Sequence, residues 1–357
     1  MEQSTTEIGR LLGQIREALA EAVVDRHYRL RPELEERYGE RGRQKCREDA
    51  AYHLTHLATA LAASRPSLFS DYVSWAKIML AGRGVPVCDL ADNLQVTTEV
   101  LKERLPARDA SAACRYVEAA IADLPRMAAI LPTCIAPDHP LTQLARSYLA
   151  ALLACERHEA SRLILDAVQN GAPIKDVYIH VFQQTQQELG RLWQINQITV
   201  AQEHFCTAAT QMIMSQLYPR IFAGPRIGRC FVGACVSGDL HEIGMRMVAD
   251  FFEMEGWDTV YLGASVPVPD LIRTLQDRKA DVVGISATLT PHISAVARMV
   301  PAIRAAPSCR NIIILVGGYP FHVVPDLWKQ VTADGTCPDA RGAVDLANQL
   351  IGTKGLS

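Results

Sequence analysis

Apolar residues in the first third of the chain recur at intervals of three and four. Ile8, Leu11, Leu12, Ile15 and Leu19 make one such stripe, the periodicity of an amphipathic helix. A charged stretch, 31–47, reads as a solvated helix or loop. Ala50, Ala51, Leu54, Leu57, Ala58 and Leu61 then form a second stripe, closed by Ser64-Arg65-Pro66. Phe69, Tyr72, Val73, Ala76, Met79 and Leu80 form a third, stopped by Gly82-Arg83-Gly84. Two more helices are expected over 87–105 and 110–127. No strand pattern and no repeat interrupts residues 1–130, which read as one all-helical domain.

Three prolines between Leu131 and Pro140 mark a linker. A second helical block, 141–218, carries four expected helices at 141–154, 156–170, 174–193 and 199–217, the size of a four-helix bundle. A second linker is expected over 219–228. From Arg229 the period changes. Short apolar runs at 231–236, 260–262, 282–286 and 312–316, with a weaker fifth at 331–333, alternate with helical segments. That alternation predicts a doubly wound parallel sheet over 229–357. The whole is a multidomain α and α/β chain.

Composition narrows the functional classes. The 357 residues are 49% hydrophobic and 21% charged, ordinary for a globular protein. A net charge of −3 gives no case for nucleic-acid binding. No apolar run reaches membrane-spanning length, and Met1-Glu2-Gln3-Ser4-Thr5 has no signal-peptide pattern. The ten cysteines include no Cys-x-x-Cys pair, which disfavours zinc ribbons and suits a reducing cytoplasm.

In doubly wound sheets ligands bind beyond the carboxyl ends of the strands. Three loops stand there. The first is Asp239-Leu240-His241-Glu242-Ile243-Gly244. An acid two residues before a histidine can hold one imidazole nitrogen protonated and leave the other free for a metal. The glycine three residues on lets the helix start close under whatever the metal carries. The second loop, Ser286-Ala287-Thr288-Leu289-Thr290, supplies small hydroxyls; the third, Gly317-Gly318, admits close backbone approach. No Gly-x-Gly-x-x-Gly turn indicates an ordinary nucleotide, and no further ligands for zinc lie nearby. A single protein ligand suits a metal that brings its own macrocycle.

At these residues the chain resembles the cobalamin-binding family in which histidine replaces the cofactor's own nucleotide tail on cobalt, with a flavodoxin-like cobalamin fold. The resemblance makes His241 the lower axial ligand and Asp239 its hydrogen-bond partner, with Leu240, Glu242, Ile243 and Gly244 beside them. It makes Ser286, Leu289, Thr290, Gly317 and Gly318 the lining of the slot for the displaced tail. In the methionine-synthase type the relay beyond the aspartate ends on a serine; here that position is His292.

The upper face is expected from the bundle. Thr199-Val200-Ala201-Gln202 is a capping-box start, after which Val200, Glu203 and His204 share one helix face. With Trp193 from the preceding helix, this set resembles the cap of the cobalamin-dependent photoreceptors. There the tryptophan packs over an adenosyl group and the glutamate binds its hydroxyls, which implies adenosylcobalamin. Gln194 stands where DNA-binding members carry a cobalt-capturing histidine.

Residues 1–130 resemble a globin-like sensor domain through Leu68-Phe69, Tyr72-Val73, Trp75, Leu80 and Arg83-Gly84-Val85. A domain of that kind joined to an adenosyl-type module resembles the photocobilins, which pair cobalamin with biliverdin. His53, His56, Tyr72 and Trp75 are then candidate contacts for a noncovalent bilin, and Arg43 and Arg83 candidate partners for its propionates. The leading expectation is a non-enzymatic, cytoplasmic light sensor. It would be a light-dependent homo-oligomer acting on an unknown downstream protein, without nucleic acid or membrane. The alternatives are a corrinoid methyl carrier serving separate methyltransferases and a cobalamin-binding adaptor without bilin.

Overall fold

In the computed structural model residues 2–222 and 224–354 are described; Met1, Ala223 and the last three residues, which fall in the expected N-terminus, second linker and sheet domain, lie outside them. The chain divides into two compact units, 1–130 and 131–357. Unit one holds α1 Glu2–Leu30, α2 Glu33–Ala62, α3 Pro66–Ala81, α4 Val87–Arg104 and α5 Ala107–Asp123. Leu12, Leu19, Leu54, Leu57, Leu61, Phe69 and Val73, all from the sequence stripes, are buried in its core. The charged stretch 31–47 is helical, absorbed into α2, with a break at Gly39 where φ is +62°.

Unit two begins with the bundle. Its helices are α6 Thr142–Leu153, α7 Arg157–Gln169, α8 Ile174–Val177, α9 Gln184–Gln194, α10 Val200–Gln216 and α11 Tyr218–Ile221. The expected third helix is present but irregular, because Tyr178–Gln183 between α8 and α9 is wound as a π-helix. Such widened turns commonly accompany functional sites. The expected linker 131–140 is packed rather than loose: Ile135 is buried, and Cys134 N donates to Glu188 Oε2 at 2.8 Å.

The sheet follows: β1 Cys230–Cys235, α12 Ile243–Met254, β2 Asp258–Tyr261, α13 Val268–Arg278, β3 Val282–Ser286, α14 Ile293–Ala305, β4 Ile313–Gly317, α15 Tyr319–Val323, α16 Leu327–Gln330, β5 Gly335–Thr336 and α17 Ala340–Lys354. All pairings are parallel, in the order β2-β1-β3-β4-β5. The switch point, where the winding reverses, falls between β1 and β3. The fifth strand lies at 335–336, not 331–333: Val331 and Ala333 are buried in the turn before it. β1 and β3 are buried on both faces, which is why they read as unbroken apolar runs. Beneath them Phe231 stacks on Phe252 at 3.9 Å, and Phe252 meets Trp257 edge-on at 4.9 Å.

Bundle and sheet are joined by apolar packing and by a buried polar contact. Tyr178 OH, in the π-turn, donates to Asp250 Oδ2 on α12 at 2.8 Å. Burial pushes Asp250 up to about 6, against the hydrogen bond from Tyr178 and the charge of Arg246. The folded chain therefore holds this proton more tightly than the unfolded chain does. The stability it contributes is fully present below the ordinary value of 3.8 and is lost as pH rises through about 6. Asp250→Asn, which keeps an acceptor for Tyr178, should melt a few degrees above wild type at pH 8, a gain of order 2 kcal/mol. The gain should vanish near pH 4 in thermal melts; an equal effect at both ends contradicts the assignment. At Gly318, φ is +107° and a Cβ would collide with the Ala287 carbonyl oxygen. Gly318→Ala should lower the urea midpoint by an amount equivalent to at least ~2 kcal/mol, and an unchanged midpoint would refute the crowding.

Candidate functional site

The loop after β1 brings the histidine to the crevice at the switch point. Asp239 is wholly buried there. Its Oδ1 accepts from His241 N at 3.1 Å and lies 2.9 Å from His241 Nδ1; its Oδ2 accepts from Thr288 N at 2.6 Å. Thr288 belongs to the loop after β3, so one carboxylate ties the two loops that flank the crevice. His292 Nδ1 stands 3.5 Å from the same Oδ2, at the limit of a hydrogen bond. A second imidazole thus occupies the end of the relay where the resembling family has serine.

Burial alone would raise Asp239. The hydrogen bonds from the His241 ring and from the backbone of Thr288 and His241, with the His292 ring close by, outweigh it and hold the carboxyl far below the usual range. The hydrogen bond to Asp239 in turn raises His241, against burial. Its side chain is 58% exposed. With Nδ1 held by the carboxylate, Nε2 is the nitrogen left to bind a ligand. Exposed apolar side chains stand in the loops after β1, β3 and β4, at the same ends of the strands: Leu240, Leu289 and Tyr319. A flat apolar group is what such a rim suits.

The other sequence candidates divide into two groups. Ser286 and Thr290 are buried at the mouth of the crevice, and Gly317 leaves open space where a side chain would stand. Gly244 is likewise open at the start of α12. Ile243, by contrast, joins the hydrophobic core. Glu242 is engaged inside the protein: Oε1 accepts from Gln211 Nε2 at 2.8 Å, and Oε2 from Tyr261 OH at 2.9 Å and Ala264 N at 3.0 Å. Its carboxylate joins α10 of the bundle to the loop after β2, a use that residue type and spacing did not disclose.

Across from His241 stands α10. Its start is the capping box read from the sequence, with Thr199 Oγ1 accepting from Gln202 N at 3.2 Å and Gln202 Oε1 accepting from Thr199 N at 3.0 Å. α10 lies against the His241 loop, since Gln211 on it donates to Glu242 Oε1, and the charge of Glu203 adds to what raises His241. Trp193, at the end of α9, is partly buried against the core. His204 Nε2 lies 3.6 Å from Glu203 Oε2, but its side chain is 74% exposed, and Val200 is half exposed. Gln194 is buried rather than directed outward. Sequence reading missed Thr207, which donates to Glu203, and Gln186, which meets Thr207. Thr207 follows Glu203 by one helical turn and was legible from that spacing; Gln186 lies on another helix and was not.

In unit one the structure brings four aromatic candidates together. His53 Nδ1 lies 2.8 Å from Tyr72 OH, the His56 ring stacks on Tyr72 at 3.7 Å, and the Trp75 ring lies near-parallel to Tyr72 with centroids 6.2 Å apart. Burial lowers His53 to about 4 and His56 to about 3, so both rings are neutral. Arg83 shares their neighbourhood through Asp49, which both Arg83 and Tyr72 sense. Arg43 does not join them. It pairs with Asp25 at 2.7 Å and Glu35 at 3.8 Å, about 15 Å along α2 from His53.

Comparison with known proteins follows this geometry. Residues 229–346 match a B12 binding domain, and residues 144–218 match a second B12 binding domain family. The chain is 25% identical to a corrinoid protein of Desulfitobacterium hafniense (strain Y51), over 53% of this chain and 84% of that protein. It is 26% identical to a dimethylamine corrinoid protein of Methanosarcina barkeri, over 39% of this chain and 63% of that protein. The solved monomethylamine corrinoid protein of Methanosarcina barkeri superposes with a TM-score of 0.53 at 18% identity, covering 59% of this chain and 99% of that one. That likeness establishes the helical bundle followed by a Rossmann-like sheet. Residues 1–130 lie outside both domain matches. Together the matches support cobalamin binding by this chain.

Proposed function

We propose that the chain holds cobalamin with its nucleotide tail displaced and His241 on cobalt. The observation that carries this reading is the buried Asp239 carboxylate, which fixes the His241 ring from behind and leaves Nε2 facing the crevice. The residues present fit the group. Ser286, Leu289, Thr290 and the Gly317-Gly318 pair would receive the tail, and Leu240 would lie under the corrin. When bound, cobalamin would supply a carbon group held on cobalt that can be transferred to an acceptor or released by light. The protein's part is to orient the imidazole, hold its Nδ1 proton on Asp239, and close the bundle over the upper face.

The use of that bond divides two readings. The similarity to corrinoid proteins, one of them a dimethylamine corrinoid protein, favours a corrinoid carrier of methyl groups, working with a separate methyltransferase, over a sensor. A second reading, a light sensor holding adenosylcobalamin, is favoured by Glu203 and Trp193. A carboxylate on α10, the helix that meets the His241 loop through Gln211 and Glu242, suits the hydroxyls of an adenosyl group and offers nothing to a methyl group. The His53, His56, Tyr72 and Trp75 cluster extends the second reading to biliverdin in residues 1–130, with light changing self-association and a downstream partner reading it. In neither reading does the chain complete a reaction alone.

Purified full-length protein loaded with hydroxocobalamin, methylcobalamin or adenosylcobalamin tests the common claim. His241→Ala should abolish the protein-induced change in the cobalamin absorption spectrum and weaken binding at least about tenfold; a variant that binds with an unchanged spectrum contradicts it. The two readings separate in the wild type. Tighter binding of adenosylcobalamin, with green light altering both its spectrum and the protein's size-exclusion mass, selects the sensor. Equal or tighter binding of methylcobalamin, with methyl transfer to a thiol on addition of a methyltransferase and no light-dependent mass change, selects the carrier.

A further inference from the structure

We propose that Thr207 and Gln186 are positioning residues that hold the Glu203 carboxylate for a hydroxyl-bearing upper ligand, and so set the preference of the site for adenosylcobalamin over methylcobalamin; this rests on the cobalamin reading above. Glu203 Oε1 accepts from Thr207 Oγ1 at 2.6 Å. Thr207 Oγ1 also lies 3.1 Å from Gln186 Oε1 on α9, and Gln186 Nε2 lies 3.0 Å from Thr210 Oγ1. Thr210 Oγ1 lies 2.8 Å from Tyr148 OH on α6. A line of hydrogen-bonding groups thus runs from the cleft through three helices. Its far end is fixed, since Tyr148 and Thr210 are wholly buried.

The chemistry of the line gives it a direction. A threonine hydroxyl has one hydrogen and cannot donate to both Glu203 Oε1 and Gln186 Oε1. The two ends of a glutamine amide are alike in shape, and with the Gln186 amide turned over its nitrogen can donate to Thr207, provided that Thr210 Oγ1, 2.8 Å from the Cys206 carbonyl oxygen, turns its one hydrogen from that carbonyl to the Gln186 oxygen. Tyr148 then donates to Thr210, Thr210 to the Gln186 oxygen, the Gln186 nitrogen to Thr207, and Thr207 to Glu203. All the hydrogens point toward the carboxylate, and each bond in such a chain polarises the next.

The consequence is selective. A glutamate fixed in one rotamer has less freedom left to lose when it accepts hydroxyls from a ligand. Among the described residues Glu203 Oε2 meets the His204 ring at 3.6 Å, beyond a hydrogen bond. The adenosyl group carries ribose hydroxyls for such an acceptor; a methyl group carries no donor. Loss of the line therefore weakens one cobalamin and spares the other. A merely structural loss would weaken both.

The test is equilibrium binding to the full chain in the dark, with adenosylcobalamin and methylcobalamin in parallel and the hydroxocobalamin spectrum as a check on His241. Thr207→Val and Gln186→Leu should each raise the Kd for adenosylcobalamin about tenfold. The Kd for methylcobalamin should stay within about twofold, the scatter of near-neutral contacts, and Thr207→Ser should restore the wild-type ratio. Equal weakening of both cobalamins, no change in either, or failure of Thr207→Ser to restore the ratio overturns the assignment. If the wild type takes up methylcobalamin through His241 but not adenosylcobalamin, this inference falls and the cobalamin reading stands. Binding of neither overturns both.

Discussion

The Asp239 carboxylate is the constraint on which the site depends. It is wholly buried, yet it stays ionised because donors from two loops converge on it. Removing such a charge from water costs several kcal/mol unless every lone pair finds a partner. Thr288 N, His241 N and the His241 ring provide those partners, with the His292 ring 3.5 Å away, so the loops after β1 and β3 cannot move independently of the carboxylate. The reward for that cost is a histidine whose orientation and proton position are set in advance. An imidazole free to rotate would lose that freedom on meeting a metal, and its affinity would fall accordingly.

The bundle stands in the same relation to the opposite face. Glu242, next to the histidine, accepts from Gln211 on α10, and the same helix carries Glu203, whose charge adds to what raises His241. A displacement of α10 therefore changes both the width of the cleft and the position of its upper carboxylate. At the other end of the interface Tyr178 and Asp250 join the π-turn to α12 in a buried contact. One end of this interface is thus buried and polar, and the other opens on the crevice. That arrangement suits a module that must admit a large flat cofactor and then close on it, whichever use the closed form serves.

Much of this was legible in the residues, for identifiable reasons. β1 and β3 are buried on both faces and so appear as unbroken apolar runs. The capping box at Thr199 and Gln202 marks the start of α10 by short-range chemistry alone. The Asp-x-His spacing places carboxylate and ring within reach because they share one turn. What escaped was set by contacts distant in sequence. The short edge strand at 335–336 has too little apolar pattern to stand out from the buried turn before it. Segment 131–140 looked like a linker because prolines break periodicity, but Ile135 and the Cys134–Glu188 bond hold it against the bundle. Arg43 looked available and is held by Asp25 and Glu35; Glu242 looked like a cofactor contact and is held by Gln211, Tyr261 and Ala264.

The central claim concerns which nitrogen sits beneath the metal, and electron paramagnetic resonance reads that nitrogen directly. The protein is loaded with cobalamin whose dimethylbenzimidazole is labelled with nitrogen-15 and reduced to the cobalt(II) state. A protein imidazole on cobalt carries ordinary nitrogen-14, and the account predicts triplet superhyperfine splitting that is lost in His241→Ala. Doublet splitting from the labelled tail would show the tail still on cobalt and would contradict the account.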